Sequence, residues 1–227
     1  MAEMEITVPD EVPVMTLQNT AFFPQALMPL HIFEPRYQEM LRDVLATNRL
    51  FAIAGVNEKQ AAGDGSEAPH RIASLGIVRA CQKNDDGTSN LLLQGLCRVQ
   101  ITEIVRESPY RQIKIQALAS LPGASDEANE TLRRELSRLL SVKARLAHTD
   151  ARDMMKFLKT VHDPEAFVDI AAFSLCESAK LKQKLLETLD VHHRLLLFGG
   201  QLRAEIERLK LQRKLQGPLS DERVSEN

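Results

Sequence analysis

The sequence predicts an α+β protein whose two kinds of structure are segregated: a small β-barrel with one inserted helix, followed by an α-helical bundle that ends in a long helix. Three observations carry this. Up to about residue 119 the apolar residues alternate or form short β-rich runs, and beyond LPGASD (121–126) they recur at helical spacing. The stretch NDDGTSN (84–90) is a strong turn signal between two long strand-like runs, which makes a hairpin. The 227 residues, 44% hydrophobic and 26% charged, are enough to bury a core. Because Trp is absent and aromatics are only 4%, that core must be mostly aliphatic.

Each element has a local reason. VPVMTL (12–17) is β-rich, and LFAIAGV (50–56) is a short apolar run fit for a buried strand. Residues 72–83 and 90–107 flank the turn, and YRQIKIQA (110–117) alternates as a half-buried strand does. Gly76 and Gly95, inside strand patterns, suggest bulges where a sheet curls. Pro35 suits the first position of a helix carrying Tyr37, Met40, Leu41, Val44 and Leu45 at helical spacing. Residues 57–70, with two glycines, a proline and an Asp-Gly step, read as a mobile loop.

In the second half, Leu132, Leu136, Leu139, Leu140 and Leu146 form one stripe, and Met154, Phe157, Leu158 and Val161 another. Asp163 followed by Pro164 is an N-cap with proline at the first helical position. Ser178 and Asp190 can cap the next two helices. The last, from 191 to about 215, has an apolar stripe of Leu195, Phe198, Leu202, Ile206 and Leu209 that must be covered. It is expected to pack back on the bundle, with Gly199 and Gly200 at a close helix crossing or a bend; pairing with the same helix of a second chain is the alternative. These readings divide the chain into a β domain (1–120), a helical bundle (121–216) and a polar tail read as disordered (217–227).

Motifs for catalysis are absent. No glycine is followed by lysine, so there is no phosphate-binding P-loop, and H-E-x-x-H, C-x-x-C, G-x-S-x-G and G-x-G-x-x-G do not occur. Three cysteines without metal-type spacing read as reduced, mostly buried thiols. His192 and His193 project about 100° apart on a helix and cannot share a metal. Arg98 and Arg106 read as solvated strand edges. The formal charge of −2, and 14 acidic against 11 basic residues in the first 120, argue against a nucleic-acid footprint. The nine basic and four acidic residues of 180–214 read as a solvated helix face. No run suits a bilayer and the N-terminus lacks the features of a signal peptide, so the expected location is cytoplasmic.

Several stretches together resemble one family. VPVMTLQNTAFFP (12–24) looks like the opening strand and "FP" turn of the N-terminal domain of Lon protease, and LMPLHIFEPRY (27–37) like its next strand and helix start. NLLLQGLCRVQI (90–101) resembles the family's "V-x-G-x-x-R" strand, with Leu93 in place of the Val. DIAAFS (169–174) and KQKLLETLDVHHRL (182–195) resemble its helical "LAD…KQxLLExxDxxxRL" region. The resemblance implies a PUA-like barrel, a helical bundle and a substrate-recognition role. The ATPase and Ser-Lys peptidase parts of Lon have no counterpart here, so neither activity carries over.

The expected function is therefore a non-enzymatic polypeptide-binding module, possibly an adaptor in protein quality control. Its partners would be unfolded or extended polypeptide, or a protease or chaperone, with no cofactor and no metal. An RNA-binding PUA-like protein is the alternative, by fold analogy alone. The candidate contact residues are Phe22, Phe23, Pro24, Leu27, His31 and Arg36. Two adjacent aromatics cannot share one side of a strand, so at least one of Phe22 and Phe23 is expected at the surface. In the chemistry-rich PLHIFEPRYQEM (29–40), Tyr37 and Met40 are expected to face the barrel and Arg36 to hold a carboxylate or a loop carbonyl.

Overall fold

A computed structural model describes residues 7–57 and 67–216. The expected loop core (58–66) and tail (217–227) lie outside the described residues. In chain order the elements are β1 (Glu11–Leu17), β2 (Leu27–Ile32), α1 (Pro35–Ala46), β3 (Leu50–Gly55), β4 (Ile72–Lys83), β5 (Ser89–Arg106), β6 (Gln112–Leu118), α2 (Asp126–Ala147), α3 (Arg152–Leu158), α4 (Pro164–Leu175), α5 (Ala179–Glu187) and α6 (Val191–Gln216). Among the described residues, all six strands precede all of the helices except α1, the α+β segregation that the change of period implies.

The strand order is β2-β5-β4-β3-β1-β6, and β6 also pairs with β5. Five strands therefore close into a ring, while β2 stands outside it on β5, so the sheet is not a plain barrel. Closure is possible because β5 is 18 residues long. Its first part pairs with β2 and its later part with β6, while β4 runs along its other side. The register between β4 and β5 slips at Leu75/Gly76 and again between Val78 and Ala80. At the first slip Gly76 lies opposite Gly95, and a Cβ on Gly95 would collide with the Phe23 carbonyl oxygen. The chain before β2 can therefore lie flat on β5, where the Gly95 N–H donates to Ala26 O (2.9 Å) and the Gln25 N–H to Gly95 O (3.0 Å).

Two apolar cores result. The ring is filled by Val12, Val14, Leu50, Ala52, Ala54, Leu75, Val99, Ile101 and Ile113. A second, larger core lies outside it, where Phe51, Ile53, Val78, Leu91 and Leu93 meet Tyr37 and Met40 of α1 and continue into Phe167, Leu185, Phe198 and Leu202 of the helices. β3, buried along its whole length, serves both cores.

Helix starts follow the expected chemistry. Asp163 accepts from the Ala166 N–H (2.7 Å), Ser178 from Leu181 (3.2 Å) and Asp190 from His193 (2.7 Å). The stripe of α6 is buried at Leu195, Phe198, Leu202 and Ile206, and α6 packs along α2 and α4. The glycines are not the reason. A Cβ on Gly200 would meet nothing within 4 Å, and one on Gly199 only Arg203 and Leu139 at 3.8 and 4.0 Å, so the expected close crossing is absent. Phe157 also departs from expectation. The seven-residue α3 is too short to bury its stripe, so Leu158 is buried and Phe157 exposed.

Candidate polypeptide-binding surface

Phe22 and Phe23, expected at the surface, are both completely buried (0%). The alternation argument fails because residues 18–26 are not a strand. They form a connection whose central stretch, residues 21–24, is buried between the sheet and the helices, so that both of its sides are covered. Phe22 meets Phe173 of α4 edge-on with ring centroids 6.1 Å apart, and its carbonyl accepts from the buried Ser74 hydroxyl (2.6 Å). The Phe23 ring faces the Arg98 guanidinium at 5.8 Å. Pro24 is buried as well. The two rings are thus part of the core, while Pro24 lines the smaller of the two clefts described below.

Arg98 is a second correction. Far from a solvated strand edge, it is fully buried, as are Asp169 of α4 and Arg194 of α6. Arg98 donates to both Asp169 oxygens (2.6 and 2.7 Å) and to Leu186 O of α5 (3.0 Å). Arg194 donates to Asp169 Oδ1 (2.5 Å), Ser120 (2.6 Å) and Glu165 (3.0 Å). Leu96 is left unpaired where the register slips, between Gly95 and Cys97, and beyond it Val99 fills the ring while Arg98 points away from it into the helices. Burial works to raise the Glu165 pKa, but the Ser120 hydroxyl and the Arg194 and Arg98 guanidinium groups outweigh it and hold the carboxyl below the usual range. Two buried guanidinium groups thus face one buried carboxylate and one half-exposed one. This knot ties β5 to α4, α5 and α6.

Two clefts of about 200 and 440 Å³ open beside the knot and meet at Ser120, Asp163 and Glu165. Apart from Asp126 at the rim of the larger cleft, their carboxylates are already engaged. Asp163 caps α4, Glu165 and Asp169 hold the arginines, and Glu130 is clamped by Arg133 and Arg134. Hydrogen bonds from those two arginines pull the Glu130 pKa down to about 2. Among the described residues no group of three or more His, Cys, Asp or Glu is placed to hold a metal. Cys176 is buried, Cys97 half-buried and Cys81 exposed, so the thiols are less buried than expected: Cys81 lies where the β4–β5 hairpin runs beyond the core.

Of the remaining candidates, Leu27 and His31 lie on β2. Its inner residues Met28 and Ile32 are buried, whereas Leu27, Pro29, His31 and, just beyond the strand, Phe33 are exposed, Leu27 by 52% and Phe33 by 62%. The two-residue period of an edge strand puts these four on one face. His31 and Phe33 stack with centroids 6.0 Å apart. Their cross-strand neighbours Gln94, Leu92 and Asn90 share the same face, and His31 Nδ1 lies 2.8 Å from Asn90 Oδ1. Pro29 has no N–H to give to a further strand, which blunts the free edge and leaves the face as the usable surface. Arg36 does not join this row. It pairs with Glu34 (2.9 Å) and Glu67 (3.0 Å) and covers the Tyr37 ring at 4.5 Å, so it holds carboxylates as expected. Pro29 and Phe33 were missed by the sequence reading, although the alternation of LMPLHIF (27–33) contains them.

A family model of the ATP-dependent protease La (LON) substrate-binding domain matches residues 11–202. The chain belongs to this family. It is 27% identical over 217 residues to the Lon protease of Desulfosudis oleivorans and 26% identical over 215 residues to that of Dictyoglomus thermophilum; these matches cover 94% and 95% of this chain but 26% and 27% of those proteins. The chain thus spans about a quarter of the length of the Lon proteases it matches. Among solved structures, the N-terminal domain of the Mycobacterium avium complex Lon protease matches with a TM-score of 0.64 at 20% identity, covering 88% of this chain and 98% of that one. A Lon N-terminal domain protein from Xanthomonas campestris matches with a TM-score of 0.59 at 20% identity, covering 86% and 97%. Within the Lon domain fold, the motif stretches quoted above converge: Arg98, Asp169 and Arg194, from three separate stretches, are the three members of the buried knot. No helix among the described residues is long and apolar enough to cross a membrane.

Proposed function

We propose that this Lon-type domain recognises polypeptides without catalysing their turnover, and that it serves as the substrate-selecting part of a proteolytic or chaperone system. The observation that carries this reading is the exposed row Leu27, Pro29, His31 and Phe33 on β2. It is an uncovered apolar strip on a rigid, doubly cored scaffold, with a polar border of Gln94 and Asn90. Such a strip suits an extended chain, whose apolar side chains it can partly desolvate. Membership of the substrate-binding-domain family supports the same reading.

The test is fluorescence anisotropy with labelled, permanently unfolded carboxymethylated α-lactalbumin. The intact protein should bind it, and a Leu27→Ser/Phe33→Ser variant should bind at least about tenfold more weakly with an unchanged melting temperature, since it removes two large apolar side chains that the ligand would cover. Equal binding by both proteins would move the contact surface elsewhere.

A further inference from the structure

We propose that the solvated sheet face around β2 selects extended apolar segments flanked by a carboxylate, and that Arg79 is the residue that reads this charge. The proposal rests on the polypeptide-recognition reading and names the substrate class for that surface.

The face is built in rungs across three strands. Leu27 of β2 lies opposite Gln94 of β5, Pro29 opposite Leu92 and His31 opposite Asn90. On the far side of β5, Leu92 faces Ala80 and Asn90 faces Gln82 of β4. The result is an apolar centre of Pro29, Leu92 and Ala80 between rungs bearing amides. An extended chain laid on it would offer alternate side chains to the apolar centre and have amides within reach of its backbone.

Arg79 falls in the second register slip, between Val78 and Ala80, and has no direct cross-strand partner. A bulge re-aims the side chain it carries. Here the exposed Arg79 turns onto the rung of Leu27 and donates from Nε to Gln94 Oε1 at 2.6 Å. Nε is thereby engaged by a neutral amide, which orients the guanidinium. Arg79 makes no ion pair among the described residues, as is true of several other surface arginines; what sets it apart is that its guanidinium lies on the Leu27–Gln94 rung of this face. No carboxylate occurs among these eight rung residues, so a cation on the ligand would find no counter-charge within them. An arginine fork matches a carboxylate in shape as well as in charge.

The experiment uses two fluorescein-labelled peptides with amidated C-termini, so that the varied side chain is the only difference in charge: Leu-Ser-Val-Ser-Leu-Asp and the same peptide with Lys in place of Asp, each titrated against the full chain. The Asp peptide should bind about tenfold more tightly, the scale of one charge-assisted hydrogen-bonded pair. Arg79→Gln should abolish the difference and Arg79→Glu should reverse it. The preference should also shrink at high salt. Because Arg79 is exposed, unchanged melting temperatures are expected and would exclude misfolding as the cause. Equal affinity for the two peptides, or a preference that survives Arg79→Glu, would overturn the proposal while leaving polypeptide recognition standing. Failure of the wild-type chain to bind either peptide or the unfolded protein would overturn both.

Discussion

Replacing Asp169 by Asn tests the central claim about the junction between sheet and helices. The change is nearly isosteric, so it leaves no cavity, and its effect is electrostatic. In the native protein the carboxylate receives three charge-assisted bonds, two from Arg98 and one from Arg194, all between 2.5 and 2.7 Å. Both arginines are fully buried, and Glu165, 39% exposed, is the other carboxylate they contact. An asparagine has one neutral oxygen to offer and an NH₂ that opposes the guanidinium donors. One buried cation then lacks its counter-charge, a situation that costs about 3–5 kcal/mol. For a chain of this size that is a fall of roughly 6–20 °C in melting temperature. Thermal and urea unfolding followed by circular dichroism would measure it. Replacing all three residues with apolar ones of similar size, Arg98→Met, Asp169→Leu and Arg194→Met, should recover most of the loss, because a buried ion cluster can be exchanged for well-packed hydrophobes at little cost. A loss under about 1 kcal/mol for Asp169→Asn would refute the argument, since a buried cation left without its partner cannot be that cheap.

Two further outcomes are expected from the pairing of Glu130 and from the surroundings of two glycines. Glu130 is held at a pKa of about 2 by Arg133 and Arg134, and Glu165 is also held low. A carboxyl with a depressed folded pKa stabilises the protein above its unfolded value of about 4.3, and that contribution is lost as the pH falls through the folded pKa. Wild-type stability should therefore fall between about pH 4.5 and 2, and Glu130→Gln should flatten this acid limb in a series of urea melts; an identical limb in the variant would contradict the pairing. The glycines give opposite signs: Gly200→Ala should stabilise by about 0.5–1 kcal/mol, because an open helical position gains from alanine, whereas Gly95→Ala should destabilise by more than that through its collision with Phe23, and calorimetry on both variants decides.

Much of the fold was legible because local chemistry set it. The Asp-Asn-Gly turn at 84–90, the proline-led starts of α1 and α4, and the caps Ser178 and Asp190 each act within a few residues. The change from a two-residue to a helical period located both halves. The misread residues share a different property. Phe22 and Phe23 were assigned by strand alternation, yet their segment is sandwiched between layers that meet only in the folded chain. Arg98 looked like any strand arginine until Asp169 and Arg194, 71 and 96 positions further on, were seen to enclose it. Phe33 was overlooked although the alternation of 27–33 places it on the Leu27 face, whereas nothing near Arg79 in sequence marks it as a neighbour of that surface.

What the sequence alone determined is what short-range rules decide: which segments become strands or helices, where they begin, and that no nucleotide-binding or hydrolase motif is present. The family resemblance reached further, because it compared whole stretches in order. What only the tertiary structure decided is which polar groups are taken out of water and which apolar ones are left in it. Burial depends on the strands and helices that close over a residue from distant parts of the chain, and that closure decided that Arg98 became the anchor of a buried ion cluster while Leu27 and Phe33 stayed at the surface.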